Sequence, residues 1–203
     1  MKLDEITLVD GHGNKNFNIS EFDINNGERI GYSEGGTIIT KSHHNIDSRL
    51  ILFSLTNENN LFLSGVVGYF FPFNGREYFL INDVFTSREQ RNKGYATALY
   101  TSLVRKYHVK LMSGKTQTKD GKLLWDRLSK VLTVNVYDAK TKTTVPRNQI
   151  SDDDIYVNEP DRYILLVERC VVSIHDIGIP NIGDGIIKDI LNYTHPINEG
   201  KYE

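Results

Sequence analysis

Apolar and polar positions alternate with one period in the middle of the chain and another after it. Between residues 37 and 86 the apolar residues come in short β-branched and aromatic runs: Thr37–Thr40, Arg49–Leu55, Leu61–Phe71 and Glu77–Thr86. Runs of this length, bounded by turn residues, predict strands. The last three are separated by Asn57-Glu58-Asn59-Asn60 and Pro72-Phe73-Asn74-Gly75. Asn, Pro and Gly at such breaks predict reversals, hence an antiparallel meander. Strict alternation places Leu80, Asn82, Val84 and Thr86 on one face and Asp83 on the other. Upstream, Ile6–Val9 and Arg29–Tyr32 are the strand-like pieces of a polar, Gly- and Asn-rich stretch.

After Thr86 the period becomes helical. A polar loop, Ser87 to Lys93, leads through Gly94 into a helix predicted over 95–107, and Val109–Met112 reads as a short strand. Strand, crossing helix and strand imply a right-handed parallel βαβ unit. A second helix follows, with Thr118 as N-cap and Asp120 in its first turn. Leu123, Leu124, Leu128 and Val131 give it an apolar stripe. Two late strands, Leu132–Tyr137 and Tyr163–Val172, should pair as a hairpin across a long polar excursion, 138–162. The tail after His175 is turn-rich, with a helical turn expected around Ile186–Leu191. The fold class is α+β. A single domain, 1–203, is expected, with a core at 37–172, an N-terminal elaboration at 1–36 and a C-terminal extension at 173–203.

Composition narrows the function classes. The net charge of −2 argues against a dedicated nucleic-acid binder, so any polyanion site must be local. The one cysteine, Cys170, allows neither an intrachain disulfide nor a cysteine-based metal site, and its apolar surroundings predict a buried strand residue. The first residues carry no signal-peptide core and no apolar run reaches membrane-spanning length. A soluble, cytoplasmic protein without a membrane partner is therefore expected. Abundant Asn and Ile suit an AT-rich genome such as that of a virus or phage, in which case the compartment is the host cytoplasm.

The strongest chemical signal is the loop between strand and helix. The first turn of a helix leaves N–H groups unpaired and partially positive. Gly94 lets a phosphate approach the backbone, and Arg88, Arg91 and Lys93 add full charges there. The loop is not a P-loop, and one glycine does not make a dinucleotide fingerprint. Other clusters carry less. His43-His44 with Asp47 reads as a polar turn, and Asp152-Asp153-Asp154 lacks the glycine and distal glutamate of a calcium loop. No metal site is expected. His175-Asp176 and His195 have no nucleophile at motif spacing. Tyr69-Phe70-Phe71 and Phe73 read as sheet core and edge.

Arg91, Gly94 and Ala96 in the spacing R-x-x-G-x-A resemble the pyrophosphate loop of the GNAT superfamily of acyl-CoA-dependent N-acyltransferases. Val84 to Gly94 resembles that family's L-x-V-x-P-E-Y-R-G-K-G. Downstream, Thr118 to Lys130 is similar, without a gap, to its N-x-x-A-x-x-L-Y-E-K-L-G-F. There Thr118 stands for Asn, Gly121 for Ala, Leu124 and Leu128 match, and Trp125 stands for Tyr. The likeness covers roughly 49–137, and the order of elements agrees with it.

The resemblance implies a mixed, mostly antiparallel twisted sheet with a β-loop-α-β cofactor unit, a second helix and a C-terminal hairpin. The strand ending at Thr86 would splay from Val109–Ser113 and leave a V-shaped cleft. The cofactor would be acetyl-CoA or another acyl-CoA. Its pantetheine arm would lie along Phe85, Thr86 and Ser87. Its pyrophosphate would sit on Arg91, Asn92, Lys93, Gly94, Tyr95 and Ala96, with Arg88 assisting. A backbone N–H near Phe85 or Thr86 would polarise the thioester carbonyl. The acyl group would pass to an amine, on a small molecule or a protein, by direct attack.

Three departures accompany the likeness. No amphipathic helix is evident in 10–48, where the family flanks its acceptor site. The position of the family's Glu base is Leu80, which leaves Asn82 to hold a base water. The family's acidic Tyr is Trp125, which leaves Ser113 or Tyr100 as proton donors. The alternative is a GNAT-like protein without catalysis, serving as a viral host-interaction or particle component. Acceptor choice is expected to rest on 10–48 and 138–162, the latter folding over or beside the cleft.

Overall fold

The computed structural model describes residues 7–9, 15–24, 26–114, 119–158 and 162–168, all within a unit that ends at Cys170. The expectations for Thr118, Cys170, His175, Asp176, Ile186–Leu191 and His195 fall outside these residues.

Turn chemistry builds the meander. β3 (Glu28–Tyr32), β4 (Ile38–His43), β5 (Ile51–Thr56), β6 (Phe62–Phe73) and β7 (Arg76–Thr86) follow one another, each antiparallel to the last. They come after a small separate sheet of β1 (Thr7–Val9) and β2 (Lys15–Asn18). At the first predicted break Asn57 Oδ1 accepts from the N–H groups of Asn59 and Leu61, and Asn60 takes φ 57°. At the second, the turn is only Asn74-Gly75, with φ 49° and 72°. Pro72 and Phe73, expected in that turn, belong to β6. A proline cannot donate to a ladder, but β5 stops pairing at Gly68. Pro72 therefore sits where β6 is an edge on that side.

α1 (Tyr95–Arg105) crosses over to β8 (Leu111–Met112), then come α2 (Lys119–Leu128), β9 (Val134–Asp138), β10 (Thr143–Pro146) and β11 (Tyr163–Val167). The other nine described strands form one sheet in the order β10-β9-β11-β8-β7-β6-β5-β4-β3. Among the described strands only β7 and β8 run parallel. The architecture is α+β, with a large, mostly antiparallel open sheet and few helices. β9 and β11 pair antiparallel, as expected of the late hairpin.

The main core lies where α1 and α2 meet the sheet. Leu99, Tyr100, Leu103 and Val104 of α1 are buried with Phe53, Phe79, Leu111, Val136 and Leu165. Alternation sends Leu52, Phe62 and Val67 to one second cluster, and Tyr78, Met112 and Leu166 to another. Burying each such aliphatic or aromatic side chain contributes about 1.5–3 kcal/mol. α2 turns Leu124, Trp125 and Leu128 inward. Leu123 and Val131, expected in its stripe, are 47% and 43% exposed, because Trp125 takes the inward position and packs edge-on to Tyr100 at 6.5 Å.

The excursion 138–162 is built rather than bare. β10 pairs along the outer edge of β9. A one-turn helix (Arg147–Gln149) and a wider helical turn (Asp154–Asn158) follow, and Ile155 enters the main core at 2% exposure. Arg147 reaches Asp152 and lies 3.6 Å from Asp126 of α2. Its base is clamped by Arg162, which donates to both carboxylate oxygens of Asp138 at 2.8 and 2.6 Å.

Candidate functional site

β7 and β8 share two register pairs, Phe79 with Leu111 and Leu80 with Met112, and then part. β8 leaves with β11: the Ser113 N–H donates to Leu165 O at 2.8 Å, and Ser113 Oγ accepts from the Leu165 N–H at 2.9 Å. β7 stays with β6 as far as Thr86. Beyond Leu80, then, no described strand pairs with the β8-facing edge of β7. Ser64 holds the end of β7 in place, its hydroxyl donating to Phe85 O at 3.0 Å and lying 3.0 Å from Thr86 Oγ1.

On its other edge, in the ladder with β6, β7 carries a β-bulge. Val67 pairs with Asp83 and Gly68 with Ile81, so Asn82 is an extra residue with no counterpart on β6. A Cβ on Gly68 would lie inside contact distance of the Leu80 carbonyl oxygen and 2.9 Å from the Phe79 ring. The backbone approach therefore requires glycine. The bulge overturns the strict alternation expected for β7. Val84 joins Phe79 and Ile81 against the main core, Leu80 packs with Tyr78 in another cluster, and Asn82 is exposed. Phe85 turns to the remaining cluster and stacks on Phe62 at 5.2 Å. The available signal was Gly68, since an isolated glycine inside a strand pattern marks a bulge or a close approach.

At the top of β7 the chain enters a tight one-turn helix, Arg88–Gln90, closed by the Gln90 N–H on Ser87 O at 2.8 Å. Asn92 and Gly94 then take φ 62° and 81°. Gly94 is the N-cap residue of α1 and supplies no side-chain cap. The first N–H groups of α1 thus face outward without an intrahelical acceptor. Arg88 and Arg91 are exposed; the Arg91 N–H donates to Arg88 O at 3.5 Å, and their side chains make no hydrogen bond or ion pair among the described residues. Lys93 donates to Gln90 Oε1 at 3.0 Å. Tyr95 and Ala96 are half-buried against the core. Of the predicted cofactor residues, Phe85 and Thr86 thus end the strand, and Arg88, Arg91, Asn92, Lys93, Gly94, Tyr95 and Ala96 form one continuous turn into α1.

The proton-transfer candidates are placed less favourably. Ser113 is 2% exposed and its hydroxyl ties β8 to β11. Tyr100 is 1% exposed; burial, and then the charge of Asp83, push its phenol well above the usual value. Asp83 Oδ1 accepts from the Val84 N–H at 2.8 Å. The structure thus brings the charge of Asp83 within range of Tyr100, which packs on Trp125. Adjacent-residue reasoning could not make that link, because the two lie on different elements.

His43 ends β4, and His44 and Asp47 lie in the polar turn that follows it, with Asp47 bonded to Arg49. Among the described residues no group of His, Cys, Asp and Glu is placed to hold a metal ion. None of their helices is long and apolar enough to cross a membrane. No protein-family model matches the sequence, and no curated protein matches it either.

Proposed function

We propose that this chain is an N-acyltransferase of GNAT type that binds acetyl-CoA or another acyl-CoA and passes the acyl group to an amine. The observation that carries the proposal is the parting of β7 from β8. It leaves a strand edge that no described strand covers, and this edge runs directly into a helix N-terminus without a side-chain cap, beside Arg88 and Arg91, whose side chains have no partner among the described residues. An extended pantetheine arm carries amide groups that can pair with such an edge, and a pyrophosphate suits the turn beyond it. The order of strands, with a late hairpin inserted beside β8, supports the same reading.

In the reaction the amine nitrogen would bond to the thioester carbonyl carbon, the C–S bond would break, and CoA would leave as thiolate. A backbone N–H between the bulge and Thr86 would stabilise the oxyanion. Positioning then supplies most of the acceleration. The amine proton would leave through water held at Asn82. Such an enzyme would act in the cytoplasm.

Two observations favour a second reading, a GNAT-like protein that does not turn over. Trp125, which stands for the family's tyrosine in the sequence resemblance, is buried, and the Ser113 hydroxyl is engaged between strands. Calorimetric titration with acetyl-CoA and with CoA, alongside thiol release in the presence of amines, separates the cases. Binding with thiol release supports the enzyme. Binding without release supports the non-catalytic form, and no binding removes the cofactor site altogether.

A further inference from the structure

The turn 44–50, which joins β4 to β5, is organised around one imidazole. His44 Nδ1 accepts two backbone hydrogen bonds, from the N–H of Ile46 at 3.2 Å and of Asp47 at 3.0 Å. A ring nitrogen that accepts carries no proton, so the proton of the neutral ring is on Nε2. Nε2 lies 3.4 Å from Glu21 Oε2. The ring also stands edge-on to Phe22, with centroids 5.1 Å apart, and its side chain is only 10% exposed.

Segment 19–24 docks onto the sheet at this same place. The Asn45 N–H donates to Glu21 O at 2.7 Å and the Asp23 N–H to His43 O at 3.0 Å. Phe22, 3% exposed, bridges to His44 and packs with Leu52, Phe62 and Val67. One ring therefore serves both the turn and the docked segment.

We infer that His44 is a pH-sensitive latch on the 44–50 turn: its neutral ring closes the turn through Nδ1, and protonation opens the turn while the Nε2 contact to Glu21 of segment 19–24 becomes an ion pair. A protonated Nδ1 becomes a donor, and two backbone N–H groups already point at it. Those contacts turn repulsive, and no other acceptor in the ring can replace Nδ1. Among the described residues, the charged groups that face the ring are Glu21, from the docked segment, and Asp47, from the turn itself. Asp47 is held down to about 2 by its hydrogen bonds from Arg49, so it stays ionised throughout the range in which a histidine titrates. Both carboxylates attract the cationic ring, but neither restores the lost acceptor. His43, next in the chain, is engaged separately, with Nδ1 3.0 Å from Ser48 O.

The test is a heteronuclear NMR titration of the full chain from about pH 8 to about pH 5. The amide signals of Ile46, Asp47 and Asn45 should move with the midpoint shown by the His44 ring carbon. Amide-exchange protection at Ile46 and Asp47, corrected for intrinsic rates, should fall at least about tenfold, as expected for a lost hydrogen bond. His44→Asn offers an oxygen acceptor near the position of Nδ1 and does not titrate, so its turn should hold at every pH. His43→Gln should behave as the parent. If the Ile46 and Asp47 amides ignore the His44 titration in the parent protein, the latch does not exist. The same holds if His44→Asn opens with the parent's pH profile.

Discussion

Gly94→Glu would set a negative charge where the proposed pyrophosphate sits, and the structure allows its cost to folding to be separated from its cost to binding. Gly94 holds φ 81° and ψ 5°, a left-handed conformation that costs an L-residue about 1–2 kcal/mol. A Cβ there meets no heavy atom within 4 Å, so no steric cost adds to the strain. For a chain of this size a loss of about 1 kcal/mol lowers the melting temperature by about 2–4 °C. The variant should therefore remain folded. A carboxylate about 5 Å from a phosphate charge is repelled by about 3 kcal/mol at an effective dielectric of about 20, and by less where water screens it. Acetyl-CoA affinity should accordingly fall by about tenfold to a hundredfold. Gly94→Ala carries the strain without the charge and should lose less. Calorimetric titration of the three proteins, each checked by thermal melting, measures both effects. A folded Gly94→Glu protein that binds acetyl-CoA like the parent would show that this turn is not the phosphate cradle.

Trp125→Tyr should cost modest stability, since the ring packs in the core against Tyr100, and should leave thiol release unchanged; a large gain in turnover would mean that a missing acid had been restored. Ile155→Ala should destabilise by about 2–5 kcal/mol in urea unfolding, the cost of truncating a buried aliphatic side chain, and a loss near zero would mean that the excursion is not anchored in the core. Hydrogen bonds from Arg162, with further help from the Lys140 and Thr141 N–H groups, hold the Asp138 carboxyl well below the usual carboxylate range. Because the folded value is the lower one, this stabilisation is present above about pH 4 and is lost as the pH falls through the folded value. Asp138→Asn should thus be less stable than the parent at neutral pH, and acid titration followed by circular dichroism should show the gap closing; a gap that persists in strong acid would contradict the assignment.

Periodicity and turn residues determined most of the fold class. The Asn57–Asn60 and Asn74-Gly75 reversals and the helical spacing from Tyr95 onward are local properties, set by φ preference and by the 2.0 and 3.6 repeats. They were enough to predict a meander, a strand–helix–strand unit and a late hairpin. The cationic turn from Arg88 to Ala96 was legible for the same reason, because its residues are contiguous. Tertiary structure alone decided the rest. Asn82 became a bulge because Gly68 of the neighbouring strand admits the Leu80 carbonyl, and that single extra residue reversed which face Val84 and Phe85 serve. Ser113 became a strand tie because Leu165, far along the chain, presents its N–H there. Ile155 found the core, and Arg147 found α2, across a stretch whose own composition is polar. Local preference sees only a residue's neighbours in sequence. Which strand edge stays open, and which hydroxyl is already bonded, depends on pairings between distant segments, and these are settled only when the whole sheet forms.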